Sequence, residues 1–217
     1  MYVKDHMTPS PYCIFPNTSV SKAIDILEQK DFRRLPVIDE NEKLIGLVTE
    51  ERISDSSGAQ STALDIYELN YLLSRTMVSD IMIKDVITIG PDALLEEAAN
   101  TMLQKKVNAL PVVDENNKVI GIITERDIFK AFIDLLGFNE EGTRFVINMK
   151  EDRPGEFERV SNLFSSNNVN LKNFAVYHNE RGIEVVIIVS GDCEFMKDIL
   201  EKEEGWKVTE VKKQNIK

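Results

Sequence analysis

Apolar residues recur along this chain in two rhythms, and the order of the rhythms repeats. Val20, Ala23, Ile24 and Leu27 fall on one helical face, as do Leu95, Ala98, Ala99 and Met102. Each stretch is followed by two short apolar runs, "LPVID" with "LIGLVT" and "LPVVD" with "VIGIIT". The intervening "ENEK" and "ENNK" are turn sequences, so each pair of runs predicts a β-hairpin. Upstream, "VKDHM" and "VSDIM" predict a short helix or turn, and "CIFPN" and "TIGPD" an extended piece closed by a Pro turn; downstream, "TEERI" and "TERDI" open another helix. The repetition is positional. Pro36 and Pro111, Gly46 and Gly121, Thr49 and Thr124, and Ile53 and Ile128 are each 75 residues apart. About 20 positions between Val3/Val78 and Ile53/Ile128 are identical without a gap. The chain therefore holds two copies of a small α/β unit. At about 55 residues, one copy buries too little surface to stand alone, so the two are expected to pack together.

Between the copies, "SDSSGAQS" reads as a flexible linker. "TALDIYELNYLLS" then reads as a helix, with Thr62 and Asp65 spaced as a cap. Its apolar residues, Leu64, Ile66, Tyr67, Leu69, Tyr71, Leu72 and Leu73, wrap most of the circumference, which predicts burial on more than one side. After "LLGFNEEGT" the pattern resets. "RFVINM" predicts a strand, and "EDRPGEFERVSNLFSSNNVN" a loop and helix with Phe157, Val160 and Phe164 on one face. "LKNFAVYHN" and "IEVVIIVSG" predict a hairpin about "NERG", followed by a helix in "CEFMKDILEKE" and a last strand in "WKVTEV". The order is β-α-β-β-α-β, that of a ferredoxin-like unit.

The "DHM" and "DIM" openings, the "LPVID" and "LPVVD" strands and the Gly-apolar-apolar-Thr endings of both copies resemble the CBS domain, and two in tandem resemble the CBS pair, or Bateman module, over residues 1–135. The C-terminal pattern resembles the ACT domain, and "YELNYLLS" running into "VSDIM" is similar to the acetoin utilization protein AcuB group. The fold class expected is α/β (α+β): a tandem CBS pair followed by a ferredoxin-like βαββαβ ACT domain. The expected boundaries are 1–58 for the first CBS domain, 59–76 for a linker with a helix, 77–136 for the second CBS domain and 143–217 for the ACT domain. The resemblance implies a regulatory protein, a homodimer, that signals to a target protein of undefined identity.

The seven residues "GIITERD" at 121–127 carry the candidate chemistry. On one reading Thr124 is a helix N-cap with Asp127 at N3, and Gly121 is required where chain packs closely on chain. The CBS resemblance implies a second role, because this junction then faces the cleft between the copies. There Gly121 lets a ligand approach, N–H groups at the helix start attract phosphate, Asp127 accepts from ribose hydroxyls and Thr124 donates to ribose or phosphate. The same resemblance places adenine near Ser10 and Tyr12 and near Phe32 and Arg33. Arg33 or Arg34 meets phosphate, and strand alternation allows only one of them to do so. The implied ligand is an adenine nucleotide, AMP or ATP, or another adenosine compound such as S-adenosylmethionine or cyclic di-AMP. In the first copy "GLVTEER" puts Arg52 where the acid belongs, and Arg cannot accept a hydrogen bond. The second site, with Thr49, Arg52, Val107 and Asn108, is expected to be weak or empty. In the "DRPGEF" loop, Asp152 and Gly155, with Asn170, match positions that bind an amino acid effector in related ACT domains. The aspartate would repel a ligand carboxylate and attract its ammonium. Alternatively Asp152 caps the helix, Pro154 sits in its first turn and the domain only dimerises.

Composition narrows the functions further. The 217 residues are 42% hydrophobic and 29% charged, and the net charge of −11 argues against nucleic acid or an anionic membrane as partner. Cys13 and Cys193 match no metal-ligand spacing and read as reduced thiols. "MYVKDHMTPS" lacks the basic start and apolar run of a signal peptide, so the expectation is a cytoplasmic protein. His6 and His178, the two histidines, have no evident catalytic partners, and no phosphate-loop or Ser/His/Asp signature is present; a regulatory protein rather than an enzyme is expected. The alternative is a structural module that dimerises and binds no small ligand.

Overall fold

The helical and alternating stretches form helices and strands in the order their rhythm predicts. The computed structural model describes residues 1–56, 66–151, 153–179 and 182–214, and the chain divides into two units, 1–128 and 129–217. The first contains α1 (Val3–His6), β1 (Thr8–Pro9), α2 (Val20–Lys30), β2 (Arg34–Ile38), β3 (Leu44–Thr49), α3 (Glu50–Ser56), α4 (Ile66–Arg75), α5 (Val78–Ile81), α6 (Leu95–Lys105), β4 (Ala109–Val113) and β5 (Val119–Thr124). The helix α7 (Glu125–Leu135) starts there and ends in the second unit. Residues 57–65, with most of the "SDSSGAQS" linker and the expected Thr62/Asp65 cap, lie outside the described residues.

The two copies are built alike in detail. β2 and β3 pair antiparallel with Pro36 opposite Leu47, β4 and β5 with Pro111 opposite Ile122, and both hairpins shift register after the same valine, Val37 or Val112. In the turns, Asp39 Oδ1 accepts from the N–H groups of Asn41 and Lys43, and Asp114 Oδ1 from those of Asn116 and Lys118. Such Asx turns tolerate the left-handed backbone that follows, at Glu42 (φ 64°) and Asn117 (φ 63°). The equivalent residues Lys43 and Lys118 bridge antiparallel to each other, as a two-fold relation between the copies requires.

The spatial halves differ from the sequence repeats. The opening of each repeat packs on the other. Val3 N–H donates to Ala93 O and Lys4 N–H to Pro91 O, while Val78 N–H donates to Thr18 O and Ser79 N–H to Pro16 O, the same two bonds made in reverse. β1 adds to the second repeat's sheet, Thr8 opposite Ile122, and Ile83 exchanges two hydrogen bonds of 2.9 Å with Leu47 of the first. Val78 and Ile81 accordingly lie in the core formed by Ile14, Val20, Ala23, Leu27, Leu35, Val37 and Val48. α4 packs against α2, with Leu73 turned to that core. Tyr67, Tyr71 and Leu72 face outward, so burial on more than one side is not found for the described side chains.

The second unit contains β6 (Gly142–Met149), α8 (Glu156–Ser166), β7 (Leu171–Asn179), β8 (Gly182–Val189), α9 (Met196–Leu200) and β9 (Trp206–Gln214). The strands lie in the order β7-β8-β6-β9, all antiparallel, which is the ferredoxin-like topology. One face buries Phe145, Ile147, Val185 and Ile187 against Val160 and Phe164 of α8 and Met196 and Leu200 of α9. Phe157, placed on that helical face by its spacing, is 61% exposed. It sits in the first turn of α8, past the core, and meets Phe174 edge-on at 4.8 Å. On the opposite face the chain after α7 crosses the sheet. Asn173 Nδ2 donates to Leu135 O, Gln214 Nε2 donates to Gly137 O (2.8 Å) and to Phe138 O, and Gly137 approaches Ile188 so closely that a Cβ there would lie 2.7 Å from Ile188 Cδ1.

Candidate functional site

Each hairpin ends at a strand-to-helix junction, and the two junctions use the same threonine differently. In the second copy Thr124 donates from both its backbone N–H and its hydroxyl to Asp127 Oδ2, each at 2.8 Å, and Asp127 N–H returns a long 3.4 Å bond to Thr124 Oγ1. This is the reciprocal cap that the spacing predicts, and it fixes the half-buried carboxylate at the first turn of α7. Both bonds fall on Oδ2. Oδ1 has no hydrogen-bond partner among the described residues. In the first copy Thr49 Oγ1 still accepts from Arg52 N–H (3.1 Å), but the Arg52 side chain turns away and its Nε donates to Ile81 O (3.1 Å) at the end of α5. Arg52 thus serves α5 as a C-terminal cap, a favourable place for a cation.

Asn108 joins the junctions. Its carbonyl accepts from Glu125 N–H (3.2 Å) in its own copy and from Arg34 Nη1 (3.0 Å) in the other. Arg34 stands opposite Thr49 in the β2–β3 ladder, and Ala109, beside Asn108, stands opposite Thr124 in the β4–β5 ladder. Burial presses the Arg34 pKa below the usual guanidinium value, the neighbouring Arg33 charge adds to this, and Glu125, Glu51 and Glu50 oppose it. A guanidinium remains charged under all such shifts. The cleft between the junctions therefore holds one partly buried cation among the carboxylates of two helix starts.

The other expected residues are distributed unevenly. Arg33 is exposed, and its carbonyl accepts from Glu50 N–H; of the two arginines, Arg34 is the one whose side chain bonds the second copy. Phe32, 37% exposed, and Arg33 precede the strand that pairs with Thr49, and Val107 and Asn108 precede the strand that pairs with Thr124. Ser10 does lie along β5, its N–H donating to Ile120 O. Four residues of strand, about 13 Å, separate that point from Thr124, and Tyr12 lies farther on and is exposed. Met7 was missed. A Cβ on Gly121 would lie 2.2 Å from Met7 Sδ, and one on Gly46 would lie 2.4 Å from Met82 Sδ. Gly121 thus makes room for the exchanged opening's thioether. The repeated "M" of "DHM" and "DIM" was the available signal.

The repeat agrees with the sequence comparisons. The CBS domain family matches residues 3–57 and 78–134, just over half of the chain. The chain belongs to the CBS-domain family. Its CBS pair is similar to the chloroplastic CBS domain-containing protein CBSX2 of Arabidopsis thaliana, 33% identical over 160 residues (65% of this chain, 67% of that protein). CBSX2 has been solved with AMP, and the match has a TM-score of 0.52 at 31% identity, covering 61% of this chain and 96% of that one. The CBS pair of protein MJ0100, solved with 5-methylthioadenosine and S-adenosyl-L-methionine, gives a TM-score of 0.52 at 30% identity, covering 61% and 95%. A Vibrio cholerae protein named for acetoin utilization (AcuB) gives 0.54 at 30%, covering 64% and 96%. Several relatives are longer. The chain spans about half of one (47%) and 23% of another, an enzyme.

In the second unit Asp152 lies outside the described residues. The N-cap of α8 is Gly155, with φ 95° and open space about its α-carbon, so Pro154 precedes the helix rather than occupying its first turn. Asn170 is exposed; its Nδ2 donates to Ser190 Oγ (3.3 Å) and its carbonyl accepts from Ser190 N–H. Among the described residues no helix is long and apolar enough to cross a membrane.

Proposed function

We propose that this CBS pair senses an adenosine compound, AMP, ATP, S-adenosylmethionine or cyclic di-AMP, at the junction of β5 and α7, and that the chain is a cytoplasmic homodimeric regulator, AcuB-like, rather than an enzyme. The observation that carries the reading is the Asp127 carboxylate. Its cap engages one oxygen and leaves Oδ1 for a ribose hydroxyl, while the Arg34 guanidinium suits phosphate. The AMP complex of CBSX2 and the 5-methylthioadenosine and S-adenosyl-L-methionine complexes of MJ0100 support the ligand class. Arg52, committed to Ile81 O, supports one working site per pair. Ligand binding shifts the relation of the two copies only as far as its affinity differs between their arrangements. The second unit is read as an ACT domain whose Gly155 loop takes an amino acid or whose sheet dimerises, passing the shift to a target protein.

Calorimetric titration of nucleotide-stripped protein with the four compounds tests this. One adenosine ligand is expected to saturate at one per chain. Asp127→Ala is expected to weaken it about 10- to 150-fold, the worth of a charged hydrogen bond of about 1.5–3 kcal/mol, and Arg52→Ala to leave it near wild type. Equal affinity of wild type and Asp127→Ala refutes the assignment and returns Asp127 to a capping role alone.

A further inference from the structure

The face of the second unit's sheet that carries no α8 or α9 is partly covered by the end of α7 and the turn after it, and a cavity of about 870 Å³ remains beneath them. One wall is apolar: Phe132, Ile133, Leu136 and Phe138. The floor includes Arg144 of β6 and Lys212 of β9. These two are direct cross-strand partners in the β6–β9 ladder, so two cations stand opposite each other on one face of the sheet. Like charges so placed are destabilising unless something neutralises them. Neither side chain makes an ion pair or a hydrogen bond among the described residues. Lys213, next along β9, shows the contrast: its ammonium meets Asp192 at 2.8 Å. Glu210 also lines the cavity, yet it forms no ion pair with either cation. In a chain of net charge −11, two cations without an ion-pair partner among the described residues stand beside an aromatic and aliphatic wall.

We propose that this cavity binds a small organic anion with an apolar body. The anionic group, a carboxylate or phosphate, lies between Arg144 and Lys212 and receives charge-assisted hydrogen bonds from both, and the apolar body packs on Phe132, Ile133, Leu136 and Phe138. The volume is in the range of small-molecule sites, about 300–1,000 Å³. Glu210, on the same floor, excludes a second anionic group and favours a ligand that carries its charge at one end. The site is separate from Asp127 and uses neither Gly155 nor Asn170, so it stands or falls apart from the nucleotide reading.

The test is calorimetric titration of the full chain, stripped of carried-over small molecules, with octanoate, indole-3-acetate and phenyl phosphate, and with neutral 1-octanol. At least one anion is expected to saturate at one site per chain, with 1-octanol at least about 10-fold weaker. The double variant Arg144→Gln/Lys212→Gln is expected to lose about 10-fold or more in anion affinity, with an unchanged or raised melting temperature because it removes a repulsion. Asp127→Ala is expected to leave anion binding as it is. Absence of saturable binding by all three anions overturns the proposal, as does equal binding of 1-octanol or undiminished affinity in the double variant. Sedimentation velocity adds a further arm. If the double variant changes self-association while no anion binds, the groove belongs to a second copy of the chain and the proposal fails.

Discussion

Gly121 has two competing explanations, room for a ligand and room for Met7, and a double-mutant cycle separates them. Its φ lies outside the left-handed region, so alanine meets no backbone strain and gains about 0.5–1 kcal/mol over glycine in a strand. Against that, the new Cβ would stand 2.2 Å from Met7 Sδ, 3.0 Å from Cγ and 3.1 Å from Cε. All three atoms belong to one flexible side chain, so Met7 must leave its seat; overpacking of this kind costs about 1–3 kcal/mol. The net expectation for Gly121→Ala is a loss of about 0.5–2 kcal/mol. Met7→Ala alone removes a half-buried side chain and costs about 1–2 kcal/mol. In the double variant the alanine methyl occupies space that Met7 has vacated, the clash disappears and the backbone gain remains. The two changes are therefore expected to be non-additive by about 1–2 kcal/mol, with the double variant more stable than their sum. Urea unfolding followed by far-UV circular dichroism, on all four proteins at constant concentration and without nucleotide, measures the coupling. Additivity within about 0.5 kcal/mol would refute the packing explanation and return Gly121 to the ligand.

Two further outcomes follow from a buried hydroxyl and a half-buried thiol. Thr143, fully buried, donates to Gly191 O (2.8 Å) and accepts from Cys193 N–H (2.9 Å), so Thr143→Val is expected to cost about 1–3 kcal/mol and Thr143→Ser under about 1 kcal/mol, measured by urea unfolding. Burial, with a lesser contribution from the Glu42 carboxylate, pushes the Cys13 thiol up to about 11 from 9.0, so its alkylation by iodoacetamide at pH 8 is expected to run roughly 100-fold slower than that of an ordinary thiol, read by mass spectrometry. Because the folded value is the higher one, the preference for the neutral thiol stabilises fully below pH 9.0 and is lost as the pH rises towards 11.

The elements were legible because the chain states them twice. A hairpin seen at "LPVID…LIGLVT" and again 75 residues on leaves little ambiguity, and the Thr124/Asp127 cap follows from spacing alone. What lies between the copies was not legible. Thr8 lies in a two-residue strand and Ile83 in an isolated bridge, too short for alternation to show, and the hydrogen-bonding edge of a strand carries no label for the copy it will join. Gly121 was correctly suspected of close packing, yet only the fold supplies Met7 as the group above it. The choice between Arg33 and Arg34 turned on one residue of strand phase, and alternation does not reveal which phase faces the cleft until the register with Thr49 is known. Phe157 differs for another reason: in the first turn of α8 it meets only Phe174 of the edge strand β7 among the rings, and 61% of it stays exposed.

The exchange of openings sets a timetable for the nascent chain. Ribosomes extend a chain by about 5–20 residues per second, so Val3 and Thr8 leave the ribosome roughly 6 to 22 seconds before the β5 strand that must receive them has been made. The first hairpin waits less, since the opening that completes its core, Val78 to Ile81, follows about 30 residues behind it. Synthesis therefore completes the first half before the second, although the opening made earlier, Val3 to Thr8, belongs to the half that is finished last. During that interval the edge of β1 is available to any β5 within reach, and on a crowded polysome the nearest can belong to another chain.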